Sequence, residues 1–274
     1  MLHKMIRILI AEDSGVVQSV ITRGINMHRA TRYINFETVN DGCSALKALN
    51  KRRFDVAFIS LKLPGLNGSD VIVGLAESKS RDCMIIAFSE TLDKKDEALL
   101  RQHQAYHFLR KPFRQEEVAD LVATYIKITS GLPILLVDSS DAARADIGKV
   151  LQESRFDFEV FEAGSGEAAL RALSAGKLEI ILTDFQLPGM DGLELAGRVR
   201  NLSSRTSIYM MSTNGTTFLE RSAAFVGVSG FLKKPFTADD IDVLMHMYLG
   251  LETPKFAKER AAFRYLEREK KLFE

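Results

Sequence analysis

Apolar runs of three to six residues alternate along the chain with segments whose apolar residues recur every three to four positions. GEAALRALSAG at 166–176 and CSALKALNKR at 43–52 show the second pattern, and turn-forming residues precede both. This alternation predicts strands joined by helices, and therefore a parallel sheet covered by helices on both faces. The predicted strands are 6–11, 34–39, 55–60, 84–89 and 106–109 in the first half, and 133–138, 158–163, 179–184, 207–212 and 230–232 in the second.

The same succession of five strand–helix pairs occurs twice, so we interpret the chain as a tandem repeat. A length of 274 residues suits about two domains. We predict an α/β protein with two flavodoxin-like doubly wound five-stranded parallel sheets in tandem, one over 1–129 and one over 133–250. The short stretch SGLP at 130–133 joins them. In such sheets ligands bind at the carboxyl ends of the strands.

Residues 251–274 follow a different pattern and are predicted to form a C-terminal amphipathic helix. Thr253 suits an N-cap, and Pro254 suits the first helical position. The apolar residues beyond them follow a partial heptad: Phe256, Phe263, Leu266 and Phe273. Two roles stay open for this helix: packing on its own domain, or contact with a partner or a second copy of the chain.

The composition narrows the function classes. Hydrophobic residues make up 46% of the chain and charged residues 27%, which is a globular balance. The net charge of +1 argues against a nucleic-acid-binding protein, which needs a concentrated basic face. No apolar run approaches the ~20 residues of a membrane span, and the N-terminus lacks the pattern of a signal peptide. We therefore expect a cytoplasmic protein without nucleic-acid or membrane partners, whose two cysteines stay reduced.

Polar residues end four predicted strands of the second repeat: Asp138, Asp184, Ser212 and Lys234. Because parallel strands end at the same edge of a sheet, we expect these side chains to share one crevice. Two carboxylates without nitrogen or sulfur ligands suit Mg²⁺. A carboxylate beside Mg²⁺ can accept a phosphoryl group as an acyl phosphate, while a lysine and a hydroxyl stabilise the phosphoryl oxygens.

These motifs resemble the receiver domains of two-component response regulators. The likeness covers residues 5–129 and 133–250. It rests on an acidic first-strand end, DFQLPGMDG after the third strand, a hydroxyl residue after the fourth and Lys-Pro-Phe after the fifth. The resemblance implies Mg²⁺ as cofactor and five roles: phosphoacceptor Asp184, metal-site acid Asp138, a metal-binding main-chain carbonyl at Gln186, switch hydroxyl Ser212 and phosphate-neutralising Lys234.

The second repeat departs from the family pattern after its first strand. Receivers usually carry two adjacent acids there, but Ser139 follows Asp138. A serine offers an oxygen without a charge, so we expect Ser139 to be a weak ligand and the Mg²⁺ affinity to be reduced. Asp141 lies too far into the following helix to replace the missing carboxylate.

The first repeat keeps the surroundings of the site but lacks the acceptor. Its corresponding residues are Glu12, Asp13, Ser60, Ser89 and Lys111. Since Ser60 has no carboxylate, it cannot form an acyl phosphate, and we predict a degenerate receiver, or pseudo-receiver. Lys62 is a candidate for an ammonium that replaces the metal beside Glu12 and Asp13; a solvated loop lysine is the alternative.

Three more residues are assigned expectations. In receivers an aromatic residue on the fifth strand moves with the switch hydroxyl and changes the face formed by helix four, strand five and helix five. The corresponding residues are Phe231 and Phe108, and a plain core role stays open for both. His246 is expected to be a surface or partly packed histidine rather than a phosphotransfer histidine.

The leading functional interpretation is a response regulator with tandem receivers. Asp184 would accept a phosphoryl group from a histidine kinase or phosphotransfer protein, and the output would be contact with a downstream protein target, with a homodimer as a further candidate. No enzyme activity beyond self-catalysed phosphorylation and dephosphorylation is expected, because a nucleophile–base pair and a Gly-rich phosphate loop are both missing. Two alternatives stay open: a phospho-independent scaffold or dimerisation module, and the receiver part of a longer regulator whose output domain is absent from this chain.

Overall fold

The computed structural model describes residues 5–28, 33–176, 178–213, 222–256 and 263–265. Contacts divide the chain into two compact units. The first is Met1–Lys127 with Thr253–Lys258, and the second is Ile128–Glu252 with Glu259–Glu274. The division falls one residue before the end of the helix Gln115–Ile128.

The first unit contains a five-stranded parallel sheet with the strand order β2-β1-β3-β4-β5. Its strands are β1 Ile6–Ala11, β2 Ile34–Val39, β3 Val56–Ser60, β4 Met84–Ser89 and β5 His107–Arg110. Its helices are α1 Gly15–Asn26, α2 Gly42–Lys51, α3 Gly68–Leu75, α4 Lys94–Gln102 and α5 Gln115–Ile128.

The second unit repeats this arrangement and adds one strand, giving the order β11-β10-β9-β8-β6-β7. Its strands are β6 Leu132–Val137, β7 Phe158–Ala163, β8 Ile180–Asp184, β9 Ser207–Ser212, β10 Gly230–Lys233 and β11 Phe263–Tyr265. Its helices are α6 Asp141–Glu153, α7 Gly166–Ala175, α8 Gly192–Leu202 and α9 Ala238–Leu249. Strands β6 to β10 are parallel, and β11 pairs antiparallel with β10.

Local sequence explains where the helices begin and which strands are interior. The side chains of Asp41, Ser140, Ser165 and Asp191 each accept a hydrogen bond from the amide three residues later, which caps the helix that follows. The central strand β3 is buried along its whole length, whereas the edge strand β7 is mostly exposed. The predicted fold of two five-stranded parallel sheets with flanking helices is therefore confirmed. Within the described ranges, no helix is both long and apolar enough to cross a membrane.

The predicted C-terminal helix is wrong for the residues of the tail that the structure describes. Residues 251–256 are not helical, and 263–265 form β11. Thr253 and Lys255 are exposed while Pro254 and Phe256 are buried, and Lys255 and Phe256 lie in a turn. The unpaired edge of β10 offers the tail main-chain hydrogen bonds, so tertiary contacts outweigh the local helix signals. Leu266 and Phe273 lie outside the described residues.

His246 was expected at or near the surface but is fully buried. Its Nδ1 donates a hydrogen bond of 2.5 Å to the main-chain carbonyl of Asp242, one turn earlier in α9. Its ring packs edge-on against Phe156, with 5.0 Å between the ring centroids. The sequence window around His246 is amphipathic, but it could not show that the histidine side faces inward.

Lowering the pH from 7 to 5 should destabilise the second unit through His246. Burial lowers the pKa of His246, so the folded state favours the neutral ring. The stabilisation is complete above the unfolded pKa of about 6.5 and is lost as the pH falls through the folded pKa. The variant His246→Phe removes this titration. Urea unfolding at several pH values should give a flatter profile for the variant than for the wild type, and parallel profiles would contradict this prediction.

Candidate functional site

Three predicted site residues of the second unit meet at one ammonium group. Lys234 Nζ lies 2.7 Å from Asp138 Oδ2 and 2.7 Å from Asp184 Oδ1. Asp184 ends β8, Asp138 directly follows β6, and Lys234 directly follows β10. Residues distant in the sequence therefore converge because parallel strands end at the same edge of the sheet.

Main-chain groups fix the two carboxylates in place. Asp138 is almost completely buried, and its Oδ1 accepts a hydrogen bond of 2.9 Å from the amide of Ser140. Asp184 Oδ2 accepts a hydrogen bond of 3.0 Å from the amide of Gln186. One oxygen of each carboxylate is thus held by the main chain, and the other points at Lys234.

The electrostatics of this cluster favour a cation. Burial alone would lower the pKa of Lys234, but the hydrogen bonds to Asp138 and Asp184 outweigh burial and raise the pKa above its usual value. Lys234 therefore stays protonated, and the three side chains together keep one net negative charge. The cluster neutralises itself only in part.

The donor set suits Mg²⁺. The two carboxylates lie within hydrogen-bond distance of the same atom, so one small cation can contact both. Among the described residues no group of three or more His, Cys, Asp or Glu side chains forms a metal site. Mg²⁺ needs no such group, because it binds through one or two carboxylates, with carbonyl and water oxygens completing its shell. Gln186 and Ser139 are both exposed beside the two acids.

Ser212 and Phe231 occupy the positions that the sequence predicted for them. Ser212 ends β9 and is nearly buried, and its carbonyl accepts a hydrogen bond of 2.8 Å from the amide of Lys234. Phe231 in β10 is buried in the core of the second unit. The main-chain bond ties the end of β9 to the residue that contacts both acids.

Arg144 is a contributor to this site that the sequence analysis missed. Its Nη1 donates a hydrogen bond of 2.7 Å to the main-chain carbonyl of Asp138, and its Nε lies 2.8 Å from Glu162 Oε2. Its Nη2 is paired with Asp141. The expectation that Asp141 does not replace the missing second acid fits this contact, because Asp141 is paired with Arg144 outside the cluster. The spacing of Asp141 and Arg144 by three residues was the available sequence signal.

In the corresponding site of the first unit, an ion pair between Lys111 and Glu12 takes the place of the three-residue cluster. Lys111 Nζ lies 2.6 Å from Glu12 Oε2, and Glu12 is completely buried. The other oxygen of Glu12 accepts a hydrogen bond of 3.0 Å from the amide of Ser14. The Lys111 ammonium also lies 5.1 Å from the centre of the Phe88 ring, in cation–π range. These contacts neutralise Glu12 without a metal.

The remaining residues of the first site do not assemble a metal pocket. Ser60 is buried, and its hydroxyl donates a hydrogen bond of 3.1 Å to the carbonyl of Lys62. Asp13 and the Lys62 side chain are exposed. The hypothesis that Lys62 replaces the metal beside Glu12 is therefore wrong, because Lys111 supplies that ammonium. This residue set does not fit Mg²⁺.

Comparison with known families decides what the repeated fold is. The family model described as the response regulator receiver domain matches residues 8–123 and again 134–246. The chain belongs to this family. We call the two units the first receiver and the second receiver. Receivers are phosphoacceptor modules of two-component systems; they bind Mg²⁺ at their acidic site and interact with histidine kinases or phosphotransfer proteins.

Two curated relatives match one receiver's length each. Over 138 residues the chain is 34% identical to the cyclic di-GMP phosphodiesterase response regulator RpfG of Xanthomonas campestris pv. campestris, covering 49% of this chain and 36% of RpfG. Over 120 residues it is 26% identical to sporulation initiation phosphotransferase F of Bacillus subtilis, covering 44% of this chain and 95% of that protein. Because the match spans about a third of RpfG, the phosphodiesterase activity in that name is not transferred to this chain.

Solved structures of two-receiver length match most of the chain, and one of them illustrates the likeness. It is described as a two-component system response regulator/GGDEF domain protein, and the match has a TM-score of 0.54 at 20% identity. It covers 89% of this chain and 98% of that one. At this identity the likeness supports the fold of the receivers and nothing about their chemistry.

The first receiver has an aromatic residue and a hydroxyl residue at the positions that correspond to Phe231 and Ser212. Phe108 in β5 is buried, as is Ser89 at the end of β4. The carbonyl of Ser89 accepts a hydrogen bond of 2.8 Å from the amide of Lys111, as Ser212 does from Lys234 in the second receiver. The two receivers thus share this scaffold, and they differ in the acids that the lysine contacts.

Proposed function

We propose that the second receiver accepts a phosphoryl group on Asp184 from a histidine kinase or phosphotransfer protein and signals through contact with a downstream protein. The observation that carries this proposal is the pair of 2.7 Å contacts from Lys234 to Asp138 and Asp184. They put an acceptor carboxylate, a second acid and a fixed positive charge at one point. The first receiver, with Ser60 at the acceptor position, is proposed to be a pseudo-receiver.

Each side chain of the second site has one role in the proposed phosphoryl transfer. Asp184 Oδ1 attacks phosphorus, the phosphorus–nitrogen bond of a donor phosphohistidine breaks, and the histidine keeps the bonding electron pair and takes up a proton. Lys234 exchanges its contact with Asp184 for one with a phosphoryl oxygen, so its charge follows the charge of the acceptor. The Ser212 hydroxyl donates a hydrogen bond to another phosphoryl oxygen. Hydrolysis of the acyl phosphate releases inorganic phosphate and restores the carboxylate.

The second receiver's residues also fit the family's metal. Asp138, Asp184 and the main-chain carbonyl of Gln186 would hold Mg²⁺, with Ser139 as a weak neutral ligand. When bound, the ion neutralises charge on the phosphoryl oxygens. Because Ser139 replaces an acid, this site is proposed to need more Mg²⁺ for half-saturation than a receiver with two acids at that position.

Phosphorylation by a small donor tests the proposal directly. The full chain is incubated with acetyl phosphate and saturating Mg²⁺, and its intact mass is measured. We expect the wild type to gain the mass of one phosphoryl group. The variant Asp184→Asn should gain none. Ser60→Ala changes the matching position of the first receiver and serves as the control, which should gain the same mass as the wild type.

Two outcomes would contradict the proposal. A wild-type chain that gains no mass at saturating Mg²⁺ would favour the alternative of a phospho-independent scaffold or dimerisation module. A mass gain that persists in Asp184→Asn would move the acceptor elsewhere.

A further inference from the structure

A short segment that follows the second receiver in the sequence packs with the first receiver. Thr253–Lys258 groups with the first receiver by its contacts. Pro254 and Phe256 are buried there, and Phe256 is only 1% exposed. Phe256 belongs to the same hydrophobic cluster as Phe108 of β5 and Leu100 of α4.

Polar and cationic contacts fix the register of this segment. The amide of Lys255 donates a hydrogen bond of 2.9 Å to the carbonyl of Tyr106, the residue before β5. The Lys255 ammonium lies 5.4 Å from the centre of the Phe108 ring. Because β5 is an edge strand of its sheet, a segment from elsewhere in the chain can contact its outer side. The segment therefore makes three kinds of contact with the first receiver. Phe256 is buried in its core, the Lys255 amide bonds to its main chain, and the Lys255 ammonium lies over the Phe108 ring.

We propose that Tyr106, Phe108 and Leu100 form a peptide-docking surface, the β5 surface, and that the Pro-Lys-Phe segment of Thr253–Phe256 fills it from the same chain. A protein partner that uses the β5 surface must displace this segment, and its own recognition element is a segment with an aromatic anchor and a preceding cation. The inference rests on the contacts of the first receiver and does not depend on phosphorylation of Asp184.

The first receiver lacks the acceptor whose phosphorylation would act on Phe108. Ser60 cannot carry an acyl phosphate, so phosphate on that residue cannot set the position of Phe108. The tail contacts Phe108 through Lys255 and shares its buried cluster through Phe256. In the first receiver the tail is therefore the group that contacts Phe108.

A labelled peptide with the sequence of residues 251–258, LETPKFAK, tests the proposal on the full chain. Phe256→Ala removes the anchor of the tethered segment and leaves the β5 surface intact. We expect the peptide to bind this variant at least ~10-fold more tightly than the wild type, because a tethered segment competes at an effective concentration on the order of millimolar. The same peptide with alanine in place of its phenylalanine should not bind. Thr253→Ala alters an exposed residue of the segment and should behave like the wild type.

A second measurement covers the case in which Phe256→Ala fails to fold. In the wild type, excess peptide should speed up hydrogen exchange of the Lys255 amide by displacing it from Tyr106. Equal binding to the wild type and a folded Phe256→Ala chain, or no binding to either, overturns the proposal. Sedimentation that shows a wild-type dimer and a variant monomer also overturns it, since the segment would then dock on a second copy of the chain.

Discussion

Replacing Lys234 with methionine is expected to lower the free energy of unfolding of the second receiver by about 2 kcal/mol at pH 7 in metal-free buffer. Asp138 is 4% exposed, and both it and Asp184 have a contact of 2.7 Å with the Lys234 ammonium. Removing the ammonium leaves two adjacent carboxylates that repel each other. Breaking a fully buried pair costs about 3–5 kcal/mol, and the partial exposure of this cluster reduces that figure.

The predicted loss depends on conditions that replace the missing charge. Millimolar Mg²⁺ should restore much of the lost stability, because the ion can contact both carboxylates. Urea unfolding with hydrogen-exchange detection in β6 and β8 reports on the second receiver. A loss that is the same with and without Mg²⁺ would show that the acids do not form a common cation site.

A matched control separates this effect from the loss of any lysine. Lys149 pairs with Asp146 at 2.9 Å, but the two side chains are 72% and 73% exposed. Exposed pairs contribute little to stability, because water and salt screen their charges. We therefore expect Lys149→Met to change stability little and to show no dependence on Mg²⁺.

Alkaline pH gives an independent check on Lys234. Its pKa is raised in the folded state, since the hydrogen bonds to the two acids outweigh burial. Its contribution is complete below the unfolded pKa of about 10.4 and is lost as the pH rises through the higher folded value. The stability difference between the wild type and Lys234→Met should therefore shrink above that pH.

The two receivers reach different charge balances with the same lysine. In the first, Lys111 pairs with the buried Glu12, and Asp13 is exposed, so the interior of the site is neutral. In the second, Lys234 contacts two acids and leaves one negative charge. Because Ser60 stands where the second receiver has Asp184, the first site lacks both the acceptor carboxylate and the negative charge that would attract a cation.

Much of the fold and the second site could be predicted from the sequence. Asp138, Asp184, Ser212 and Lys234 each end or follow an apolar run, and the ends of parallel strands meet at one edge. The predictions that failed concern residues whose contact partners are distant in the sequence, because the spacing of apolar residues does not reveal such contacts. The tail carried local helix signals, but burial of Phe256 and pairing with β10 decide its conformation. The choice of Lys111 over Lys62 likewise depends on side-chain reach in three dimensions.

Gly192→Ala is expected to impair both the stability and the phosphorylation of the second receiver. Gly192 begins α8, and its amide donates a hydrogen bond of 2.8 Å to the carbonyl of Phe185. A Cβ atom there would lie 2.7 Å from the carbonyl oxygen of Asp184 and 3.0 Å from the Cα of Phe185. Both are main-chain atoms, so the end of β8, which carries Asp184, has to move. Overpacking of this kind costs about 1–3 kcal/mol.

The displacement falls on the residue that accepts the phosphoryl group. Because small errors in the position of a reacting group are costly, we expect acetyl phosphate to label Gly192→Ala at least ~10-fold more slowly than the wild type. Gly197 lies in the same helix, and a Cβ there would meet nothing within 4 Å. Gly197→Ala should therefore stabilise the second receiver by up to about 1 kcal/mol and keep the wild-type labelling rate. Equal rates in the two variants would mean that Asp184 does not depend on this close contact for its position.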